Sequence, residues 1–167
     1  MSRLVLFCGV PGSGKTTIAA SLALKLPQSA HIQTDKLRAM VRPQKYSARE
    51  SRFVYSAVIA MGRQALIAGY DAILDGTFPR EDFRKEALDR LAHLSSAHLV
   101  VHTICDMELA LKRTANRSDA MPKERLLRIN RRFEVPEEAV VIDTGKTSVE
   151  AATDILLAML KRRDSWP

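Results

Sequence analysis

Eight residues constrain this chain more than any others: Gly9-Val10-Pro11-Gly12-Ser13-Gly14-Lys15-Thr16. Two glycines bracket four residues and a Lys-Thr pair follows, which is the spacing of a phosphate-binding loop, or P-loop. The glycines let the backbone bend so that its N–H groups converge on an anion. A helix beginning near Gly14 aims its positive dipole end at the same point. Lys15 is placed to neutralise the β- and γ-phosphates, and the Thr16 hydroxyl is a hard oxygen ligand suited to Mg²⁺. The expected nucleotide-binding residues are Gly9, Pro11, Gly12, Ser13, Gly14, Lys15, Thr16 and Thr17, with ATP and Mg²⁺ as cofactors.

The surrounding pattern fits that reading. Leu4–Cys8 is a short apolar run expected to form a buried strand, and a helix is expected from Gly14 to about Leu26, closed by Pro27. Further strands are expected at Ala30–Thr34, Ala72–Leu74, His98–Ile104 and Ala139–Ile142. Helices are expected at Ser47–Ala68, Arg80–His93, after Asp106 as N-cap, from Pro122 to about Phe133, and over Ser148–Lys161. In the longest of these, Phe53, Ala57, Ala60, Met61 and Leu66 recur at helical steps and form the expected inward face. Five strands separated by helices imply an α/β fold, a doubly wound parallel five-stranded sheet covered on both faces. Ligands of such sheets gather at the carboxyl ends of the strands. Gly9–Thr16, Thr34-Asp35 and Asp75-Gly76-Thr77 are therefore expected to meet at one site.

With 167 residues the chain is read as a single domain, 1–167. Hydrophobic residues make up 46% and charged residues 27%, and no stretch approaches the length of a membrane span. The apolar run at the N-terminus is too short for a signal peptide and leads straight into the glycine loop, so a cytoplasmic location is expected. Cys8 and Cys105 each end an apolar run and read as small buried hydrophobes, not as a disulfide framework. His31, His93, His98 and His102 lack metal-ligand spacing. The net charge of +7 favours phosphate-rich partners without fixing the fold.

Taken together, GVPGSGKTT at Gly9–Thr17, TDKLR at Thr34–Arg38, Asp75-Gly76-Thr77, and RTANR at Arg113–Arg117 before a Pro-started helix resemble the polynucleotide-kinase-like P-loop phosphotransferases. The resemblance implies a P-loop kinase fold with a small helical lid at about 113–121. It implies that Asp35 activates an acceptor hydroxyl, the alternative being an N-cap for the following helix. It implies that Arg38 holds an acceptor phosphate, the alternative being a solvated surface arginine. Arg113 and Arg117 become lid arginines that close on the ATP phosphates, the alternative being a solvated basic face. With Lys15 and Asp35 they make up the expected catalytic set. Asp75 is expected to hold a water on Mg²⁺ or to orient the acceptor, the alternative being a turn. Thr77 and Arg84 join Arg38 and Asp75 as acceptor-site candidates.

The acceptor is the open question. Lys36, Arg38, Arg42, Lys45, Arg49 and Arg52 form a basic segment beside Asp35, opposed by Glu50 alone. Such a lining suits a polynucleotide or nucleotide 5′-hydroxyl, with single-stranded nucleic acid as partner and Tyr46, Phe53 and Tyr55 as stacking surfaces, although Phe53 also suits the core. The alternatives are a small-molecule kinase on the same scaffold, acting on an antibiotic, sugar or nucleotide sugar, and an ATPase or nucleotide switch with no acceptor.

Overall fold

The computed structural model describes residues 2–116 and 121–164. Five parallel strands, β1 (Arg3–Cys8), β2 (Ser29–Gln33), β3 (Asp71–Asp75), β4 (Ala97–Ile104) and β5 (Val140–Asp143), form one sheet in the order β2-β3-β1-β4-β5. Among the described residues seven helices accompany them: α1 (Lys15–Lys25), α2 (Thr34–Met40), α3 (Ala48–Ile67), α4 (Glu81–Leu91), α5 (Met107–Ala115), α6 (Lys123–Arg131) and α7 (Val149–Asp164). This is the doubly wound α/β sheet expected from the alternation of elements.

β1 is central because its apolar run has no polar face to offer water. Leu4, Leu6 and Cys8 pack on one side with Val58, Ile59, Leu66 and Leu91 of α3 and α4. Val5 and Phe7 pack on the other with Ile18 and Leu22 of α1 and Leu156 and Leu160 of α7. Each fully buried side chain of this size contributes about 1.5–3 kcal/mol relative to exposure. The start of the sheet is pinned where Arg3 grips Asp71, with Nε and Nη2 donating to its two oxygens at 3.1 and 2.7 Å. Cys8 is fully buried as expected, and burial pushes its thiol up to about 11. Cys105 is half-buried.

Two local expectations differ from the structure. The inward stripe of α3 is Val54, Tyr55, Val58, Ile59, Gly62 and Leu66, whereas Phe53 and Met61 are 60% and 49% exposed. The helix is rotated so that the branched residues and Gly62 face the sheet, because a Cβ at Gly62 would stand 2.9 Å from Leu74 Cδ2 and only a small residue permits that approach. The second difference concerns Thr34, which opens α2 and does not end β2. The N-cap of α2 is Gln33.

Candidate functional site

The glycine loop leaves β1 at the centre of the sheet and turns into α1 through Gly14, whose φ of 86° is a conformation glycine adopts without strain. Its underside is anchored: Ser13 is fully buried with Oγ 2.7 Å from Thr103 Oγ1, and the Gly9 N–H donates to the Thr77 carbonyl at 3.2 Å. Lys15 is largely buried and Nζ donates to the Val10 carbonyl at 3.2 Å, so the ammonium lies across the loop. Pro11 lines the adjoining cleft, and Thr16 and Thr17 stand exposed in the first turn of α1.

Asp75 ends β3 beside the loop because β1 and β3 are paired, with Phe7 opposite Asp75. Its carboxylate is buried. Thr16 Oγ1 donates to Oδ1 at 3.3 Å, and His31 Nε2 lies 3.0 Å from Oδ2. A space of about 50 Å³ opens here, lined by Lys15, Thr16, Asp35, Asp75 and Gly76 among others. Mg²⁺ keeps several waters and takes one or two carboxylates plus substrate phosphates, so a hydroxyl and a carboxylate around such a space fit that ion. Among the described residues no cluster of three His, Cys, Asp or Glu forms an all-protein metal cage.

Asp35 sits in the first turn of α2, where the helix dipole favours a negative charge. It is not the N-cap. Gly76 draws β3 against this turn: a Cβ at Gly76 would stand 2.5 Å from Thr34 Cγ2. Asp35 therefore stands beside the phosphate loop, and together with Lys15, Thr77 and Pro11 it lines a cleft of about 640 Å³. The three strand ends do converge.

Arg38, one turn further along α2, also lines this cleft but is buried and committed: Nη1 donates to Glu50 Oε1 at 2.7 Å. The other oxygen of Glu50 accepts the backbone N–H groups of Lys45 and Tyr46 at 2.7 and 2.8 Å. Burial alone raises the Glu50 pKa, but the N–H of Lys45, the Arg38 guanidinium and the N–H of Tyr46 outweigh it and hold the carboxyl below its ordinary 4.5. A folded-state pKa below the unfolded one adds stability above the unfolded value, and that contribution is lost as pH falls through the folded value. Glu50→Gln is therefore expected to lower Tm at neutral pH. The gap from wild type should close as pH falls below 4.5, read by thermal melts at stepped pH. A gap that stays constant over that range would show that the charge of Glu50 plays no part.

The remaining basic segment stays largely outside this cleft. Among its cations only Arg38 lines the cleft. Arg42 donates to the carbonyls of Ala39 and Val41, and Arg52 reaches toward Glu86 at 3.9 Å. Tyr55 is core, packed against Phe78 and Phe83 at centroid distances of 4.8 and 4.3 Å. Arg84 is buried beneath the site and donates to the Phe78 carbonyl at 2.8 Å, and it does not line the cleft. Arg113 lies on the far side of the glycine loop. Nη1 donates to Gly12 O at 3.3 Å and to Thr144 Oγ1 at 2.7 Å, and Nη2 to Thr144 O at 3.1 Å. Arg117 lies outside the described residues, as do 118–120 of the expected lid, whereas 113–115 belong to α5.

Sequence reasoning missed the contribution of α6 to the cleft. Arg125 and Arg128 of α6 and Arg132 at its C-cap line it, with Met121, Pro122 and Ile129. Their spacing of three and four is the signal that marks one helical face. Arg125 lies over the Tyr46 ring, Cζ 3.4 Å from its centroid, joining α6 to the segment between α2 and α3.

The sequence profile of the AAA domain family matches residues 4–136. A search of curated protein sequences found no match. Among solved structures, the chain is similar to a sugar kinase from Janibacter sp. HTCC2649, 20% identical, with TM-score 0.77 over 99% of this chain and 98% of that one. It is also similar to the Mycobacterium tuberculosis APS kinase in complex with AMPPNP and APS, 16% identical, with TM-score 0.81 over 96% and 98%. A gluconokinase from Sinorhizobium meliloti 1021 is 16% identical, with TM-score 0.72 over 96% and 94%. These likenesses fix the fold as that of the P-loop kinases; they do not single out the polynucleotide-kinase-like branch.

Proposed function

The chain belongs to the AAA domain family of P-loop proteins, and we propose that within it this protein is an ATP-dependent kinase that phosphorylates a hydroxyl of a small molecule. One observation carries the reading: Lys15 of the phosphate loop and Asp35 of α2 line the same cleft. Its volume of about 640 Å³ lies within the roughly 300–1,000 Å³ of small-molecule sites. The names of the similar structures, kinases of sugar, gluconate and APS, support the same class of acceptor. The dispersal of the Lys36–Arg52 cations weighs against a nucleic-acid groove.

In this reading the loop N–H groups and Lys15 hold the ATP phosphates, and the acceptor oxygen enters from the cleft. Asp35 takes the hydroxyl proton as that oxygen bonds to the γ-phosphorus. The bond from γ-phosphorus to the bridging oxygen breaks, and ADP leaves with the electron pair. Thr16 and Asp75, the latter through water, would hold Mg²⁺, which neutralises phosphate charge when bound.

Transfer from γ-labelled ATP to a panel of sugars, polyols, sugar acids, nucleosides, antibiotics and 5′-hydroxyl oligonucleotides tests the proposal. Labelling of a small hydroxyl compound is the expected result. Labelling of oligonucleotide ends alone, or ATP turnover with no labelled acceptor, would overturn it.

A further inference from the structure

The part of the cleft formed by α6 is cationic, and its charges are not consumed by the fold. Arg125, Arg128 and Arg132 lie on one face of α6 and at its C-cap. Arg131, between them in sequence, does not line the cleft. Among the described residues neither Arg128 nor Arg132 has a hydrogen-bond or ion-pair partner, and Arg125 has only the Tyr46 ring. Asp35 is the only carboxylate among the described lining residues. This contrasts with Arg38, whose charge is matched by Glu50, and Arg80, which pairs with Asp82 at 2.6 Å.

The face is also held in place. The Glu134 N–H donates to the Pro79 carbonyl at 2.8 Å, and Glu134 Oε2 accepts the Glu81 N–H at 2.6 Å, tying the chain just after α6 to the loop after β3. Phe133 stacks on His102 with centroids 5.1 Å apart. Leu126, fully buried, seats the helix from below. Positioned guanidiniums without partners gain most from an oxyanion, which each can grip through two parallel N–H bonds.

Resting on the kinase reading above, we propose that the acceptor itself carries an oxyanion, bound by Arg125, Arg128 and Arg132 while its hydroxyl faces Asp35. A phosphate monoester matches the site better than a carboxylate. It offers three terminal oxygens and close to two negative charges to three guanidiniums, where a carboxylate offers two oxygens and one charge.

Binding and transfer are read separately. Inorganic phosphate is titrated by calorimetry into the full chain already loaded with Mg²⁺ and AMPPNP, so that the glycine loop is filled. Phosphate is expected to bind the loaded protein. The Arg128→Ala/Arg132→Ala double variant should weaken it at least about tenfold, the scale of one charge-assisted bond, and Arg131→Ala should leave it unchanged. No phosphate binding to the loaded protein, equal binding by the double variant, or an equal loss with Arg131→Ala each overturns the proposal. Both replaced arginines are exposed, and circular dichroism checks the fold. In the second arm glycerol, glycerate and glycerol 3-phosphate are compared as acceptors, with Arg128→Ala expected to raise the KM of the phosphate ester but not that of ATP. Preference for neutral glycerol, or a rise in KM for ATP alone, overturns the proposal by assigning the arginines elsewhere. Phosphate binding as expected with no transfer to any acceptor would support the anion site and sink the kinase reading instead.

Discussion

Asp35→Asn is expected to lower kcat by about 10²-fold or more, the scale of a lost general base, with ATP binding unchanged. Asparagine keeps the size and the polarity but cannot accept the hydroxyl proton. The competing account is structural: Asp35 sits in the first turn of α2, where a negative charge stabilises the helix by about 0.3–1 kcal/mol. The two accounts separate cleanly. A structural role lowers Tm by a small amount and leaves kcat near wild type. A proton acceptor leaves Tm nearly unchanged and removes turnover at saturating acceptor and ATP. Normal kcat in the variant would refute the assignment.

Lys15→Ala is expected to reduce kcat/KM for ATP by about 10³-fold, at the upper end of the loss from removing one preorganised cationic donor. The ammonium is largely buried against the loop and already donates to the Val10 carbonyl, so it is preorganised at the phosphate position. Alanine leaves the glycine backbone intact, and the sheet should melt within a few degrees of wild type. Near wild-type turnover at saturating ATP would show that the loop does not hold the transferred group. Lys15→Arg is a useful companion: a variant that restored activity fully would point to charge alone rather than to the fit of a compact ammonium.

The phosphate loop was legible in the sequence because its chemistry is local: backbone bend, lysine and hydroxyl all fall within eight residues. Asp35, Asp75 and Thr77 were legible as strand ends, since a parallel sheet sends all its carboxyl ends to one side. The stripe of α3 was not. Phe53 and Met61 are as apolar as Val54 and Val58, and only the close approach at Gly62 decides which adjacent stripe faces the sheet. Arg38 read as a free phosphate ligand because its partner, Glu50, reaches it only after the chain turns back through residues 41–46. The arginines of α6 went unread because nothing in their own segment says that the helix borders the cleft. That fact belongs to the tethers from Glu134 and the burial of Leu126. Composition hinted at an anion-seeking surface, but the basic segment it drew attention to, Lys36–Arg52, is not the one that lines the site.

The strand order has a consequence for how the molecule comes into being. β1 and β2 follow one another along the chain, yet they are not neighbours, because β3 lies between them. β3 brings its partners from far away: Arg3 meets Asp71 across 68 residues. Until β3 is made and inserted, β2 has no ladder to join, and α2 with Asp35 has no fixed place beside the glycine loop. Loop closure on this scale is slow compared with forming a helix or hairpin. A nascent chain that has released only α1 and β2 therefore holds every residue of the phosphate loop and no means of presenting it to an acceptor. Asp35 takes its place beside the glycine loop only once β3 fills the gap between them.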